Sequence, residues 1–300
     1  EVNTTYKMEK GELGFGAEFR NENITSSNIG DHDRENFGIY LQYRTTFIEK
    51  LDVNLGTYLN YNSDYKWQVY PGLDASYAVT NAFKIVGNIG TSQRIPSFTD
   101  LYLNQRPGNI GNPNLVTENA FQSEIGFKYT KQNFSFNANY FYRKISNFID
   151  WTRDVTTQPW QSNNYGNLNT NGFNLRTNYR VNFSSDSRLN INLAYSYLDF
   201  KFQDVIDDLY AKYLVSSLEH QITNTIDFQH KKFTALFASR FNKRITGPSY
   251  WINDFRVSQA INKITIYIDA QNIFNAKYYE VGAIPLPSRW FSLGVKFVTF

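Results

Sequence analysis

An all-β fold, built as an antiparallel transmembrane β-barrel, is predicted by three observations on this sequence. Many segments alternate apolar and polar residues with a period of two, as strands with unlike faces do. Aromatic residues make up 17% of the 300 residues, mainly as 22 Tyr and 25 Phe, and both types favour strands. Short and long connections alternate along the chain, which is typical of barrels whose short periplasmic turns lie opposite long extracellular loops.

The alternation predicts about fourteen strands and no helix. A loop is expected at Gly30–Asp33, and a bulge at Pro71-Gly72, because proline removes a donor from the ladder. Many strands exceed the roughly 9–11 residues with which a barrel strand crosses a membrane, so we expect them to project beyond it. The predicted strands cover residues 11–26, 34–47, 51–61, 66–79, 83–93, 119–130, 133–147, 163–183, 188–202, 219–229, 233–243, 251–261, 264–275 and 290–300.

The connections between these strands fall into two classes. The tight ones are 49–50, 81–82, 131–132, 184–187, 231–232 and 262–263. The longer ones are 26–33, 62–66, 94–118, 148–162, 203–218, 244–250 and 276–286. A soluble β-sandwich or solenoid would also alternate, but its solvated face would be expected to carry Lys and Glu. Here that face is mostly Asn, Ser, Thr and Tyr, and so few charges would leave sheet edges poorly defended.

The composition excludes several classes of protein and site. No run of about 18 apolar residues exists, which excludes a membrane-spanning helix. The absence of Cys excludes disulfides, thiolate metal sites and cysteine nucleophiles. The net charge of +3 comes from interspersed charges, without the basic block that would indicate nucleic-acid binding. Glu1–Thr4 is neither a signal peptide nor a usual start, so we expect a piece of a longer chain.

Two motifs frame the longest predicted connection. The first, within Arg94–Tyr102, is an arginine followed by a proline and a serine and then by an acidic-Leu-Tyr triplet. The second, within Gly111–Glu118, is Gly-Asn-Pro-x-Leu followed by a glutamate. The residues that carry them are Arg94, Pro96, Asp100, Tyr102, Gly111, Asn112, Pro113, Leu115 and Glu118.

A third motif lies near the C-terminus, with Asn-Ile-Phe-Asn at 272–275, Tyr-Tyr at 278–279 and Pro-Ser-Arg at 287–289. In this order, and with Tyr-Pro-Gly at 70–72, the three motifs resemble the barrel of TonB-dependent outer-membrane receptors, over residues 66–118 and 264–300. The residues that carry the third motif are Asn272, Phe274, Tyr278, Pro287, Arg289 and the terminal Phe300.

Two departures from the family pattern stand out. Ser288 replaces the usual glycine, which asks for a different φ at that turn. The terminal Phe300 is out of phase with the apolar face of Phe291, Leu293, Val295 and Phe297. A bulge near residue 298 would return that aromatic side chain to the lipid-facing side.

The resemblance implies a fold and a function. The family barrel has about 22 strands, so residues 1–300 are expected to be its C-terminal portion, without the plug domain and the energy-coupling box. The function implied is TonB-dependent uptake of a scarce, large ligand across the outer membrane of a Gram-negative bacterium, with no enzymatic activity. The implied partners are outer-membrane lipid, the TonB complex through the plug domain, and a surface lipoprotein.

The transported ligand is expected to be cobalamin, because residues 279–290 look similar to the vitamin B12 receptors. A ferric siderophore is the alternative, since ligand identity depends on variable loops. A passive channel of about fourteen strands is the alternative from another functional class, because an even strand number permits a complete barrel.

Aromatic residues at loop bases and strand ends are the candidate ligand contacts, together with one arginine. They are Trp151, Trp160, Tyr250, Trp251 and Arg94. The alternative for the aromatic residues is the interfacial girdle of a membrane barrel. Arg94 and Glu118 flank the long loop, where they either pair across it or line its mouth.

Catalysis and metal binding find little support in the sequence. His32, His220 and His230 lie in separate elements, and no hydrolase, zinc-protease or nucleotide-binding motif is present. The weak candidates for a calcium site are Asp204, Asp207 and Asp208, whose carboxylates are hard oxygen ligands. A solvated acidic loop is the alternative, and no cofactor is expected.

Overall fold

The computed structural model describes residues 1–203, 210–212, 217–280 and 284–297. These residues contain twenty strands and one short helix, α1 (Phe98–Tyr102), which confirms the predicted all-β class. No helix among them is long and apolar enough to cross a membrane. The strands are β1 (Val2–Met8), β2 (Gly11–Ser26), β3 (Gly30–Ile48), β4 (Leu51–Asn62), β5 (Lys66–Ala78), β6 (Phe83–Arg94), β7 (Asn104–Gln105), β8 (Asn109–Ile110), β9 (Glu118–Lys131), β10 (Phe134–Ser146), β11 (Ile149–Arg153), β12 (Trp160–Asn164), β13 (Asn167–Ser184), β14 (Ser187–Gln203), β15 (Tyr210–Ala211), β16 (Leu218–His230), β17 (Phe233–Arg244), β18 (Tyr250–Ile261), β19 (Ile264–Gln271) and β20 (Trp290–Phe297).

Fifteen long strands form one sheet whose order follows the chain. Consecutive strands pair antiparallel in β1–β6 and in β16–β20. The ladders are long, and that of β2 and β3 runs from the pair Gly11 and Thr45 to the pair Ser26 and Gly30. The other five strands form a small sheet in the order β15-β11-β12-β8-β7. Many of the long strands are therefore longer than a membrane crossing requires, as predicted.

The chain divides into two compact units. The first comprises Glu1–Phe127, Tyr140–Asn171 and Asp199–Leu214, and the second comprises Lys128–Asn139, Gly172–Leu198 and Val215–Phe300. The buried apolar cluster of Leu101, Leu115 and Ile149 lies in the first unit, in the segments that connect its long strands. The largest apolar side chains of the long strands lie elsewhere, on their exposed face.

One face of the long strands presents large apolar side chains to the surroundings. On β20, Phe291, Leu293, Val295 and Phe297 are 51–73% exposed, as the predicted alternation requires. Leaving apolar surface in water costs about 25 cal/mol per Å². A row of such residues along strands of this length therefore suits lipid, with the polar residues on the other face.

Glycines on the polar face receive the tyrosine rings of neighbouring strands. A Cβ on Gly38 would overlap the Tyr58 hydroxyl group, and one on Gly294 would overlap the Tyr267 ring. Tyr267 is the direct cross-strand partner of Gly294. The absence of a side chain at these positions lets each ring lie flat on the adjacent strand.

Several predicted boundaries are wrong. Gly30–Asp33 begins β3 instead of forming a loop, since it pairs with residues 23–26 of β2 across a three-residue turn. The polar side chains there do not interrupt the ladder, because backbone groups alone make its bonds. β1, α1 and the two short strands β11 and β12 were not expected from the alternation.

The bulge expected at Pro71-Gly72 is also wrong. Pro71 pairs with Thr57 and Gly72 with Gly56 in an unbroken ladder between β4 and β5. The ladder between β5 and β6 begins at the pair of Gly72 and Gly90, just after the proline. The missing N–H of Pro71 therefore leaves the ladder with β4 intact, and the ladder with β6 starts only after the proline.

Candidate functional site

The long connections of the first unit fold into what we call the loop module, which comprises residues 94–118, 148–165 and 210–212. It contains α1 and the small five-stranded sheet. β11 pairs antiparallel with β12, and β12 pairs parallel with β8. The longer connections predicted at 94–118 and 148–162 thus contain secondary structure of their own and an apolar cluster.

Arg94, the last residue of β6, is bound by two carboxylates. Its Nε and Nη2 donate to the two oxygens of Glu118 at 2.9 and 3.0 Å, and its Nη1 donates to Oδ2 of Asp100 at 3.0 Å. The fork of the guanidinium matches a carboxylate in this bidentate geometry. Of the two roles left open for Arg94, pairing with Glu118 across the long loop is the one observed.

Asp100 stabilises the start of α1, the helix that follows Arg94 and has Ser97 as its N-cap. The Ser97 hydroxyl accepts from the Asp100 N–H at 3.1 Å, and the Asp100 carboxylate accepts from the Ser97 N–H at 3.1 Å, which is a capping box. Gly111 packs against the helix so closely that a Cβ there would lie 2.7 Å from the Leu101 carbonyl. The motif residues Asp100 and Gly111 therefore fix the backbone around α1.

Glu118 connects the two halves of the loop module. Besides Arg94, it accepts a hydrogen bond at 2.6 Å from the backbone N–H of Ile149, the first residue of β11. Ser162 in β12 donates at 2.5 Å to the backbone carbonyl of Asp100. The buried carboxylates of Asp100 and Glu118 are thereby paired and hydrogen-bonded, as their 8% exposure requires.

The hairpin of β2 and β3 contacts the loop module through two residues that the sequence did not single out as site residues. Arg34 donates to Glu22 at 2.7 Å and to the backbone carbonyl of Pro96 at 2.7 Å. The ring of His32 stacks on that of Tyr102, with 3.7 Å between their centroids. No local motif marks these residues, because their partners in the loop module are more than 60 residues away.

A cavity of about 530 Å³ lies beside this contact, on the polar face of β2–β6. Charged and tyrosine side chains line it, including Glu18, Arg20, Arg34, Tyr58 and Arg94. Because two carboxylates already bind Arg94, its charge is neutralised locally. Ligand contact by Arg94 remains a prediction, and its observed contacts are those of a positioning residue.

Trp151 and Trp160 lie on adjacent strands of the small sheet. Trp151 is only 7% exposed, which leaves little of its surface for a ligand or for lipid. Trp160 is partly exposed, and the Arg153 guanidinium lies 4.3 Å from its ring centroid. The Lys212 ammonium lies about 6 Å from both indoles. Trp160 with its two cations is therefore the more accessible of the two predicted contacts.

In the second unit, Tyr250 is buried in a polar network at the start of β18. Its hydroxyl accepts from Asn242 at 3.0 Å and donates to Glu280 at 3.3 Å, and Glu280 also binds Arg240 at 3.2 Å. Burial, and then Glu280, raise the pKa of the adjacent Tyr278. Tyr250 thus organises the network.

Trp251, the next residue, is 46% exposed. The centroid of its ring lies 5.0 Å from that of Phe241, which is its cross-strand partner. Both rings lie on the face of the sheet opposite to Tyr250. Neighbouring residues of a strand point to opposite faces. Tyr250 and Trp251 are therefore not brought together, and the position of Trp251 suits the alternative of an aromatic girdle.

The C-terminal motif builds a turn. The side chain of Asn272 accepts from the Ala276 N–H at 2.8 Å and donates to the carbonyls of Ala276 and Pro287 at 2.9 and 3.3 Å. Asn275 accepts from the backbone N–H of Arg289 at 3.0 Å. Phe274 projects outward and is 72% exposed. Asn272 and Asn275 therefore fix the chain between β19 and β20 through Ala276, Pro287 and Arg289.

The candidate calcium ligands Asp204, Asp207 and Asp208, and the terminal Phe300, lie outside the described residues. Within the part of the chain that is described, no three His, Asp or Glu side chains come together as metal ligands would.

Comparison with known proteins identifies the family. The model of the family "TonB dependent receptor-like, beta-barrel" matches residues 2–293. The chain belongs to this family. The resemblance seen in the motifs is confirmed, and so is the barrel class of the fold. Among curated relatives, the vitamin B12 transporter BtuB of Photobacterium profundum is 26% identical over 231 residues, which are 72% of this chain and 36% of that protein.

Solved structures of similar fold come from iron-uptake receptors. The siderophore receptor PirA of Acinetobacter baumannii has a TM-score of 0.77 at 14% identity, and that of Pseudomonas aeruginosa has 0.74 at 17%. The FrpB iron transporter of Neisseria meningitidis has 0.74 at 14%. These matches cover 98% of this chain and 52–53% of the others, so the chain spans about half the length of these receptors. At such identities the likeness concerns the fold.

Proposed function

We propose that this chain is the C-terminal barrel portion, residues 1–300, of a TonB-dependent outer-membrane receptor that takes up cobalamin. The observation that carries the proposal is the family match over residues 2–293, together with 26% identity to a protein described as a vitamin B12 transporter. Uptake of this kind breaks no bond in the ligand, so the proposal assigns no catalytic residue.

The proposed partners follow from the faces of the strands and from the family. The exposed apolar face is the surface that would contact outer-membrane lipid. Energy would come from the TonB complex through a plug domain and an energy-coupling box of the longer protein. A surface lipoprotein is a further proposed partner at the extracellular loops.

The loop module supports the proposal by being ordered. Its sheet, its capping box and its paired charges fix the backbone through contacts within the chain. A preorganised surface loses less conformational entropy on binding than a mobile loop does. Trp160, with the adjacent Arg153 and Lys212, offers an aromatic and cationic surface for a large polar ligand.

A ferric siderophore is the second candidate ligand. The observation that favours it is that the similar solved structures include two siderophore receptors named PirA and an iron transporter named FrpB. Their low identity carries no ligand assignment, and the cobalamin proposal therefore rests on the sequence relative.

Calorimetry on the full-length parent protein in detergent tests the proposal. Cyanocobalamin is titrated first and a ferric siderophore second, each into the same preparation. Binding of cyanocobalamin alone is the expected result. Binding of the siderophore alone would replace the ligand while keeping the receptor function. Binding of neither, with steady ion conduction across a planar bilayer, would favour the passive channel instead.

A further inference from the structure

The tight turns of the second unit lie at one end of its strands and carry an excess of positive charge. They connect β9 to β10, β13 to β14, β16 to β17 and β18 to β19, and β20 ends beside the last of them. Within four residues of these turns, or in the last five residues of β20, the sequence has eight Lys or Arg residues and two Asp residues. The cations, which we call the basic rim, are Lys128, Lys131, Arg180, Arg188, Lys231, Lys232, Lys263 and Lys296, and the acids are Asp186 and Asp227.

The first unit, taken by itself, has tight turns without this excess. Those at 9–10, 49–50 and 81–82 have four lysines and four acids within the same distance along the sequence. The lysines are Lys7, Lys10, Lys50 and Lys84, and the acids are Glu9, Glu12, Glu49 and Asp52. Asp52 also pairs with Arg44 at 3.7 Å. The excess of six positive charges, eight cations less two acids, therefore belongs to the second unit and is not a general property of the tight turns.

The basic rim borders the exposed apolar face of the same strands. Lys263 stands between Ile261 and Ile264, whose side chains are 53% and 37% exposed. A lysine has four methylene groups that can follow apolar surface while its ammonium group reaches a polar phase. The rim therefore lies where the face that suits lipid tails ends. The exposed lysines in these turns or next to them are Lys131, Lys231, Lys232 and Lys263.

The basic rim is long and narrow. The sheet of the second unit runs over nine strands from β9 to β20, and neighbouring strands lie about 4.8 Å apart, so the rim is about 40 Å long. A turn joins every second pair of strands, which places turns about 10 Å from one another. This spacing is close to the Debye length of about 8 Å at physiological ionic strength, so the fields of neighbouring turns overlap. A row of this kind matches the plane of lipid headgroups better than the compact surface of a globular partner.

We infer that the basic rim binds the phosphate groups of anionic phospholipids in the membrane leaflet next to the tight turns. A headgroup with a net negative charge, such as that of phosphatidylglycerol, is preferred over the zwitterionic phosphatidylcholine. Lysine and arginine residues near a membrane surface attract anionic lipids, and their hydrogen bonds to phosphate oxygens are charge-assisted. The inference rests on the proposed outer-membrane location and on no part of the ligand proposal.

Exposed lysines that only interact with water would be the simpler explanation. It does not account for the equal numbers of cations and acids at the turns of the first unit. It also does not account for cations at each of the four turns of the second unit, along the edge of an apolar face. The anionic-lipid interpretation explains both observations.

Electron paramagnetic resonance of spin-labelled lipids tests the inference on the full-length protein in phosphatidylcholine vesicles at low ionic strength. The spectra separate lipid that is immobilised beside the protein from bulk lipid. They therefore give the association of labelled phosphatidylglycerol relative to labelled phosphatidylcholine. One lysine near the surface favours an anionic lipid about fivefold, and only lipids beside the rim gain this, so we expect a preference of at least about twofold averaged over the lipid shell. In about 1 M salt the preference should disappear, because the Debye length falls to about 3 Å.

The test variant removes the four exposed turn lysines of the second unit through Lys131→Gln, Lys231→Asn, Lys232→Gln and Lys263→Gln. Asparagine is chosen at position 231 because the φ of Lys231 is 50°, and asparagine adopts positive φ readily, as Asn262 does at 54°. The matched control removes the four turn lysines of the first unit through Lys7→Gln, Lys10→Gln, Lys50→Asn and Lys84→Gln. The test variant should lose at least half of the preference for phosphatidylglycerol, and the control should keep most of it.

Folding of each variant is checked by circular dichroism and by heat-modifiable migration on gels. If the test variant does not fold, the salt dependence of the unmodified protein decides. Cyanocobalamin binding is measured on the same preparations and should be unchanged in both variants, so failure of the lipid inference and failure of the ligand proposal are distinguishable. No preference for phosphatidylglycerol in the unmodified protein, a preference that persists in high salt, or an equal loss in both variants would overturn the inference. Binding of soluble polyglutamate without any lipid preference would also overturn it, and would assign the basic rim to an acidic protein partner.

Discussion

Replacing Arg94 with Gln tests whether the Arg94, Asp100 and Glu118 cluster holds the loop module together. The change removes three hydrogen bonds to carboxylates and leaves two largely buried acids without a cation. Breaking a buried ion pair costs about 3–5 kcal/mol. The Arg94 side chain is 44% exposed, and solvent screening lowers the expected cost to about 2–3 kcal/mol.

Hydrogen exchange of the full-length protein measures this cost locally. The amide of Ile149 donates to Glu118 and reports directly on the cluster. A loss of about 2–3 kcal/mol in opening free energy corresponds to exchange about 30- to 150-fold faster. Arg20→Gln is the matched control, because Arg20 is 63% exposed and pairs with Glu22 on the hairpin. Unchanged exchange at Ile149 in Arg94→Gln would refute the reasoning.

Two further changes test the packing of the first unit. Burial raises the pKa of Tyr65, whose hydroxyl donates to Leu115 at 3.1 Å. The contribution of the neutral Tyr65 hydroxyl to folding stability is therefore complete below pH about 10, and it is lost as the pH rises through the raised pKa. Tyr65→Phe should lower the free energy of unfolding by about 1 kcal/mol at neutral pH. The rate of proteolysis between pH 8 and 11 should depend less on pH in the variant. Gly38→Ala should lower the unfolding temperature by overpacking against Tyr58, at about 1–3 kcal/mol. Gly56→Ala, whose nearest neighbour would lie at 3.7 Å, should be milder, and equal shifts would contradict the packing argument.

The sequence predicted the long strands well because their signal is local. On β14, Leu189, Ile191, Leu193 and Tyr195 are each followed by a polar or small residue, and this pattern alone predicts a strand with two faces. The tight turns at 49–50, 231–232 and 262–263 lie where they were expected. The residue preferences of tight turns and the alternation of strands both extend over only a few residues, so both can be recognised in one sequence without a structure.

The loop module was not predictable in the same way. Its bonds join residues far apart, as when Ser162 binds the carbonyl of Asp100 or Arg34 binds that of Pro96, each across 62 residues. Trp151 was predicted at a loop base, yet it is buried because the connection forms strands of its own. The motifs indicated the family correctly, but the hydrogen bonds that their residues make required the three-dimensional structure.

The glycine and tyrosine contacts have a consequence for how the strands find their alignment. If β20 slid by two residues along β19, Tyr267 would face Ser292 or Lys296 instead of Gly294, and its ring would meet a Cβ where the glycine leaves space. A slip by one residue would turn the apolar row toward the polar side. Each such contact is thus compatible with only one register of the hairpin. A hairpin in another register is therefore less stable even before neighbouring strands pair with it.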